Sequence, residues 1–507
     1  MTQNDIAAAH ESHSAQESDR NRWIALYVLC VGVLMIVLDA TVVNVALPSI
    51  QTDLGFSQSS LAWVVNAYLI AFGSLLLLAG RLGDLIGRRT VFMAGLVVFT
   101  AASLTCGLAQ SQEMLVAARF VQGVGGAMTS AVVLGMIVTM FPEPREQAKA
   151  IGVYGFVASA GGSVGLLAGG VLTQAINWHW IFFINVPIGI ATGIVALRLL
   201  RRDEGIGFGA GADVLGAVLI TSSLMLGVYT IVKPAAEDGW GAARTLELGA
   251  VSLALLLAFV LRQARARNPL IPLRIFRSRN VSGANTVQML MVAGMFGMFF
   301  LGALYLQRVL GYDALEIGLA FLPATVVMGI LSLRYSERLI MRFGARTMLF
   351  PGLILIASGL LLFSQAPVHG DYLTNVLPVM LLFGFGIGSS FPSLMTLAMS
   401  GATPEDAGLA SGLVNTSAQV GGALGLAVLA TLSATRTSHL LAGGSSNAAA
   451  LVGGYHLAFV IGAGLMAVAF LVVLTVIRPV AMPAHQMQAE HGPSEAEERR
   501  RALSEAA

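Results

Sequence analysis

Fourteen apolar runs constrain this chain more than any other feature. They fall at about 24–47, 60–80, 91–109, 113–141, 150–173, 180–198, 213–232, 246–261, 280–307, 314–333, 347–364, 374–402, 407–434 and 453–477, the run at 246–261 being the shortest. At 1.5 Å per residue, about 20 residues in a helix cross the hydrocarbon of a bilayer. Backbone groups in lipid must be satisfied within the protein, so repeated runs of this kind imply helices. Only 11% of the 507 residues are charged, against about 25% in soluble domains. The expected fold class is therefore an all-α polytopic membrane protein. Residues 1–20 are polar, so the first run is expected to stay as a helix and not to be cleaved as a signal peptide.

The basic residues orient the runs. Connections on alternate sides hold 24 and 4 of the 29 Lys and Arg residues, and Arg119 alone falls inside a run. Clusters such as Arg81, Arg88 and Arg89, and the six arginines between Arg262 and Arg279, mark the rich side. Positive charge is retained on the cytoplasmic side, and fourteen is even, so both termini are expected there.

An internal repeat divides the chain. The stretch GGSVGL at Gly161–Leu166 returns as GGALGL at Gly421–Leu426, and LIGRR at Leu85–Arg89 has a worn copy in RFGAR at Arg342–Arg346. Runs 1–6 then correspond to runs 9–14, with runs 7 and 8 inserted. The expected units are a cytoplasmic tail (1–23), a six-helix half (24–198), a linker with the inserted pair (199–261), a basic loop (262–279), a second six-helix half (280–477) and a cytoplasmic tail (478–507). Two such halves around a midplane site are the plan of many secondary transporters. The two cysteines, Cys30 and Cys106, both lie inside apolar runs and offer neither a disulfide framework nor a metal site.

Asp39, within LDATVVNVALP, is the residue hardest to explain as packing. A carboxylate at mid-membrane costs about 2.5–3.5 kcal/mol on insertion scales, and such residues usually line an ion or substrate path. Proton binding is the favoured reading; a packing role, with Asp39 bonded to Thr41 or Asn44, is the alternative. Arg119 is the one opposite charge in a run. Asp39 lies about 8 residues and Arg119 about 6 from the external ends of their runs, or roughly 12 and 9 Å. The two are therefore expected to meet, with Arg119 tuning the proton affinity of Asp39. The alternative for Arg119 is bonding to helix carbonyls alone.

Two further motifs accompany them. GRLGDLIGRR places Gly80, Gly83, Asp84, Gly87, Arg88 and Arg89 at a short turn between runs 2 and 3, where glycine permits a tight bend and Asp84 has Arg88 or a helix N-terminus in the other half as partner. In run 5, Gly161, Gly165 and Gly169, with Gly170 beside them, form a strip for close helix contact. Trp178 and Trp180 suit a membrane interface, and His179 between them reads as a satisfied interfacial histidine or a pH-responsive gate. Asp213 reads as a helix cap.

In this order, LDATVVNVALP, GRLGDLIGRR, the Arg119 region and the glycine strip resemble the major facilitator superfamily, and within it the fourteen-helix drug:proton antiporter branch (the EmrB/QacA type). The resemblance covers roughly residues 24–477. It implies two six-helix repeats plus two inserted helices, with Asp39 as protonation site and Gly80–Arg89 as a cytoplasmic gate. It further implies proton-coupled export of amphipathic or lipophilic small molecules, including antibiotics, by alternating access from the inner (plasma) membrane. Leu166 stands where the antiporter motif usually has proline, which implies a straighter fifth helix.

Pocket candidates are the polar or aromatic residues at mid-run: Asn44, Asn66, Tyr68, Gln122, Asn285, Gln288, Asn415 and Gln419. A cationic substrate is expected to be drawn to ionised Asp39 directly. Glycine clusters confined to membrane runs do not make a phosphate cradle, so no catalysis, cofactor, metal or nucleic acid is expected. Protons are the coupling ion, the bilayer is the surrounding partner, and a monomer is expected. An uptake symporter of the same fold, or a membrane sensor that transports nothing, remain the other readings.

Overall fold

The computed structural model describes residues 3–200, 203, 205–207, 211–400 and 407–479; the tail beyond 479, with Arg499–Arg501, and the loop residues Arg201 and Arg202 lie outside them. Among the described residues every regular element is helical. The first half comprises α1 (Gln3–Leu54), α2 (Trp63–Ile86), α3 (Arg88–Gly107), α4 (Gln112–Met140), α5 (Pro144–Ala175), α6 (Trp180–Phe183) and α7 (Asn185–Leu199). The inserted part holds α8 (Val214–Val232), the short α9 (Pro234–Glu237) and α10 (Ala243–Arg265). The second half holds α11 (Arg279–Arg308), α12 (Ala314–Ile330), α13 (Ser336–Phe343), α14 (Ala345–Phe363), α15 (Leu377–Ser400), α16 (Ala407–Ala442) and α17 (Asn447–Thr475).

Short polar side chains begin several of these helices by accepting the amide hydrogens that a helix start leaves unpaired. Ser111 accepts from Met114 on α4, Asp213 from Gly216 on α8, and Asp313 forms a capping box with Glu316 on α12.

Among the described residues, twelve helical stretches are long and apolar enough to cross a membrane, against the fourteen runs of the sequence; the fifth and tenth runs supply only the shorter apolar helices Val164–Ala175 and Ala314–Ile330. The α5 helix as a whole is longer, Pro144–Ala175, and α12 passes into a π-turn at Leu331–Tyr335 that breaks its regular ladder. The shortest run, 246–261, is a helix of 23 residues reaching Arg265, so the inserted part ends later than residue 261. The run that stops near Pro48 also continues, since α1 carries Pro48 inside it and ends at Leu54.

The repeat has a counterpart in packing. The glycine strip of α5 faces α1, with Gly161 against Leu34 and Val37, Gly165 against Thr41 and Gly169 against Val42. In the second half Gly421 and Gly425 of α16 face Met289 and Ala293 of α11. In both halves the missing Cβ is what lets two backbones approach. The halves meet along two seams. Gly170 lies against Ala314 and Leu315, and Gly318 against Leu166, where α5 crosses α12. Gly73, Leu69 and Leu77 of α2 meet Gln419, Gly422 and Gly412 of α16, and Gln58 donates to Ser433 at 3.3 Å.

Candidate functional site

The α1, α3, α4 and α7 helices converge on one buried polar cluster. Arg119 of α4 donates through Nη1 to Oδ2 of Asp39 at 2.5 Å, with side-chain exposures of 1% and 0%. The same Nη1 donates to Oε1 of Gln122 at 2.7 Å, and Nε to the Val64 carbonyl at 2.9 Å. Oδ1 of Asp39 accepts from Gln122 at 2.7 Å and from Asn185 at 3.1 Å. Ser103 closes the ring, accepting from Gln122 at 2.8 Å and from Asn185 at 2.9 Å. The guanidinium lies over Tyr68, 4.4 Å from the ring centre, and 5.7 Å from that of Phe182.

Both carboxylate oxygens are thus occupied, and the pair is neutral as a unit. Net neutrality is what makes it tolerable in a low-dielectric interior, where an ion stripped of water costs several kcal/mol. Aromatic faces add cation–π attraction to the guanidinium on its otherwise apolar side.

Asp39 and Arg119, singled out as the two charges in the membrane, are therefore brought into contact. Asp39 lies deeper from the end of its helix than the run 24–47 implies, because α1 continues past Leu47 to Leu54. Neither packing partner considered for Asp39 is used: Thr41 bonds the Val37 and Leu38 carbonyls, and Asn44 that of Ala40. Arg119 bonds a carbonyl and a carboxylate together. No part of the Asp39 carboxylate is exposed in this conformation.

The pocket candidates separate. Gln122 belongs to the ion-pair cluster and Tyr68 flanks it. Asn44 is satisfied within its own helix. Asn285 donates to the Val281 carbonyl and accepts from Ser417 at 2.8 Å, so it is a helix-to-helix link. Gln419 packs on Gly73 at the seam, and Asn415 is exposed on α16. Asn66 and Gln288 are buried with neither amide atom partnered by protein, and the Tyr68 hydroxyl is likewise unpartnered. Buried polar groups are normally satisfied, so these three side chains have hydrogen-bonding capacity left for water or a ligand.

Most of the GRLGDLIGRR motif lies on helix. Gly80, Gly83 and Asp84 occupy the last turns of α2, and the turn itself is Gly87 alone, at φ +94°. Gly83 packs on Val132 of α4. Asp84 pairs with Arg88 at 3.4 Å, and Arg88 also donates to the Gly135 carbonyl at 3.0 Å. Arg89 donates to the Leu197 carbonyl at 2.7 Å. In the fifth helix, α5 runs unbroken through Leu166.

At the other end of the bundle, His179 contacts the Gly107 carbonyl at 3.0 Å through Nδ1 and stacks on Trp178, which donates to Asp53 at 2.9 Å. Asp213 caps α8 and is buried. Burial pushes its carboxyl up, but Arg262 at 2.6 Å, the Gly216 amide and Gln263 outweigh this and hold it below the usual carboxylate range.

Sequence reasoning missed Ser103, Asn185 and the Val64 carbonyl. Neutral polar residues are common in apolar runs, and a backbone acceptor leaves no signal at all.

The model of the Major Facilitator Superfamily matches residues 29–426. The chain is 39% identical to the puromycin resistance protein pur8 of Streptomyces alboniger, over 90% of this chain and 92% of that protein. It is 40% identical to the cephamycin export protein CmcT of Amycolatopsis lactamdurans, over 82% and 85%. Against the tetracenomycin C resistance and export protein of Streptomyces glaucescens the identity is 35%, over 84% and 78%. Among solved structures, a bacterial homologue of the human lysosomal transporter Spinster matches at a TM-score of 0.62 with 17% identity, covering 90% of this chain and 98% of the other. Family model, curated relatives and fold agree: the chain belongs to the major facilitator superfamily of membrane transporters.

Proposed function

We propose that this protein is a proton-coupled exporter of amphipathic or lipophilic small molecules, antibiotics among them, working by alternating access in the plasma membrane. The observation that carries the reading is the fully enclosed Asp39–Arg119 pair, a titratable contact in a place where charge is otherwise excluded. The relatives, named for antibiotic resistance and export, support the direction and the class of substrate. The fourteen-span topology of the antiporter branch, with both termini cytoplasmic, belongs to the same reading. The 24-to-4 asymmetry of basic residues supports it, as do α5 and α12 at the two places where the twelve-span count falls short.

The cycle follows from the cluster. A proton arriving at Asp39 neutralises the carboxylate and leaves Arg119 as a lone buried cation. That cation keeps only the Val64 carbonyl, the Gln122 amide oxygen and two rings. Stranding a buried charge costs about 3–5 kcal/mol. A potential of about 100 mV supplies roughly 2.3 kcal/mol per charge, and one pH unit adds about 1.4 kcal/mol. The two scales match, so one proton suffices to shift the packing of α1 against α4. Since Asp39 is enclosed, substrate and proton compete through that rearrangement and not by touching the same oxygen. Asn66, Tyr68 and Gln288 are the groups assigned to the substrate.

Proteoliposomes with an imposed pH gradient provide the test. Wild type should drive dye or antibiotic movement against its gradient, and Asp39→Asn should lose gradient-driven movement while keeping downhill exchange. Gradient-driven transport by Asp39→Asn at the wild-type rate would sink the proposal. Accumulation with an inward proton gradient, in place of expulsion, would select the uptake symporter.

A further inference from the structure

The residues after α7 do not simply lead away to the inserted helices. The carboxylate of Asp203 accepts from the backbone amides of Arg88, at 2.6 Å, and Arg89, at 3.1 Å. These are the first two residues of α3, whose own N-cap, Gly87, has no side chain to offer. Gly87 lies directly against Asp203, leaving no room for a Cβ. Three and four residues on, Ile206 and Gly207 donate their amides to the Asp84 and Leu85 carbonyls, each at 3.0 Å. Arg81 donates to the Gly211 carbonyl at 3.3 Å. The Arg88 and Arg89 side chains go elsewhere, to Asp84 and the Gly135 and Leu197 carbonyls, so Asp203 holds the backbone of the turn and not its charges.

The same connection continues into α8. Asp213 is clasped by Arg262 and Gln263 at the end of α10, and Gln263 accepts from the Ile271 amide at 3.1 Å. Thr221 of α8 donates to Ser74 of α2 at 2.9 Å.

We propose that Asp203 is the positioning residue of the 80–89 turn, and that Asp203, Ile206, Gly207 and Gly211 act as a strap which makes α8 and α10 travel with the first half. The proposal rests on the reading of that turn as the gate of a transport cycle. An anionic cap suits α3 because the positive end of the helix dipole faces it.

Hydrogen exchange on the full-length protein reads the cap without any transport. Asp203→Ala should speed exchange at residues 88–89 and 206–207 about fivefold, the effect of losing an ordinary helix cap. The start of α14 should keep its wild-type rate. Asp203→Asn, with one acceptor oxygen, should fall between and covers the case of a misfolded alanine variant. In proteoliposomes Asp203→Ala should lower the maximal rate and leave the substrate KM unchanged. Spin labels at Val218→Cys on α8, Val97→Cys on α3 and Ile354→Cys on α14, all exposed positions, test the strap. The 218–97 distance should hold on lowering the pH while 218–354 changes.

Wild-type exchange in Asp203→Ala overturns the proposal, and so does a 218–97 distance that moves while 218–354 stays fixed. A wild type that moves no substrate refutes the gate reading, and the exchange experiment still decides the cap.

Discussion

The turns that lead into α3 and α14 have the same backbone and different company. Gly87 and Gly344, 257 residues apart in the repeat, sit at φ +94° and +83°, and each is the N-cap of the helix that follows. Gly87 is pressed against Asp203, whereas a Cβ at Gly344 would meet open space. The wider halves show the same division. Glycine strips seat α5 on α1 and α16 on α11 alike, but among the described residues the buried charged cluster lies in the first half; the second offers the neutral Asn285–Ser417 link. Duplication accounts for the scaffold. The buried ion pair was placed on one copy, which is why the proposed cycle rests on that half.

The largest effect should come from stranding Arg119. Asp39→Ala is expected to cost about 3–5 kcal/mol of stability. The double variant Asp39→Ala with Arg119→Leu should recover much of it, as a thermal-melt double-mutant cycle would read. Additive losses would show that the pair is not a unit. Asp39→Asn keeps the Gln122 side of the cluster and should melt nearer to wild type, so its transport defect can be assigned to the missing proton.

Next, the two turns can be set against each other. Gly344→Ala should cost about 1–3 kcal/mol, the penalty of a non-glycine residue at positive φ with an extended ψ. Gly87→Ala should cost more, because the new methyl meets Asp203 as well. Equal melting points would mean that the strap yields freely.

A smaller loss is expected in the second half. Ser417→Ala should destabilise by about 1 kcal/mol, the net worth of one hydrogen bond, and leave the pH profile of transport unmoved. A shifted profile would place a proton step there and erase the asymmetry.

The smallest effect concerns Asp213. Its folded carboxyl titrates below the usual range, so the contribution is fully present above the unfolded value, about 3.9, and is lost as pH falls through the folded one. Asp213→Asn should flatten the fall in melting temperature below about pH 4; an unchanged slope would show that Arg262 is not its stabilising partner.

The sequence by itself determined the material and the plan. In hydrocarbon, apolar runs of about 20 residues satisfy their backbone groups as helices, a lone acid or base in such a run is unlike filler, and a glycine strip repeated in order marks two related halves. Those signals are energetic extremes, so they survive without coordinates. Tertiary structure decided what depends on neighbours of ordinary type. Ser103 and Asn185 complete the ion-pair cluster, yet nothing in a run of small and apolar residues sets them apart. Asp203 looks like any loop acid until folding brings it to two amides more than a hundred positions away. Helix limits were likewise decided late, because packing carried α1 past Pro48 and a π-turn cut α12 short. Strong local costs can be read along the chain; hydrogen bonds of ordinary strength acquire meaning only from who stands opposite.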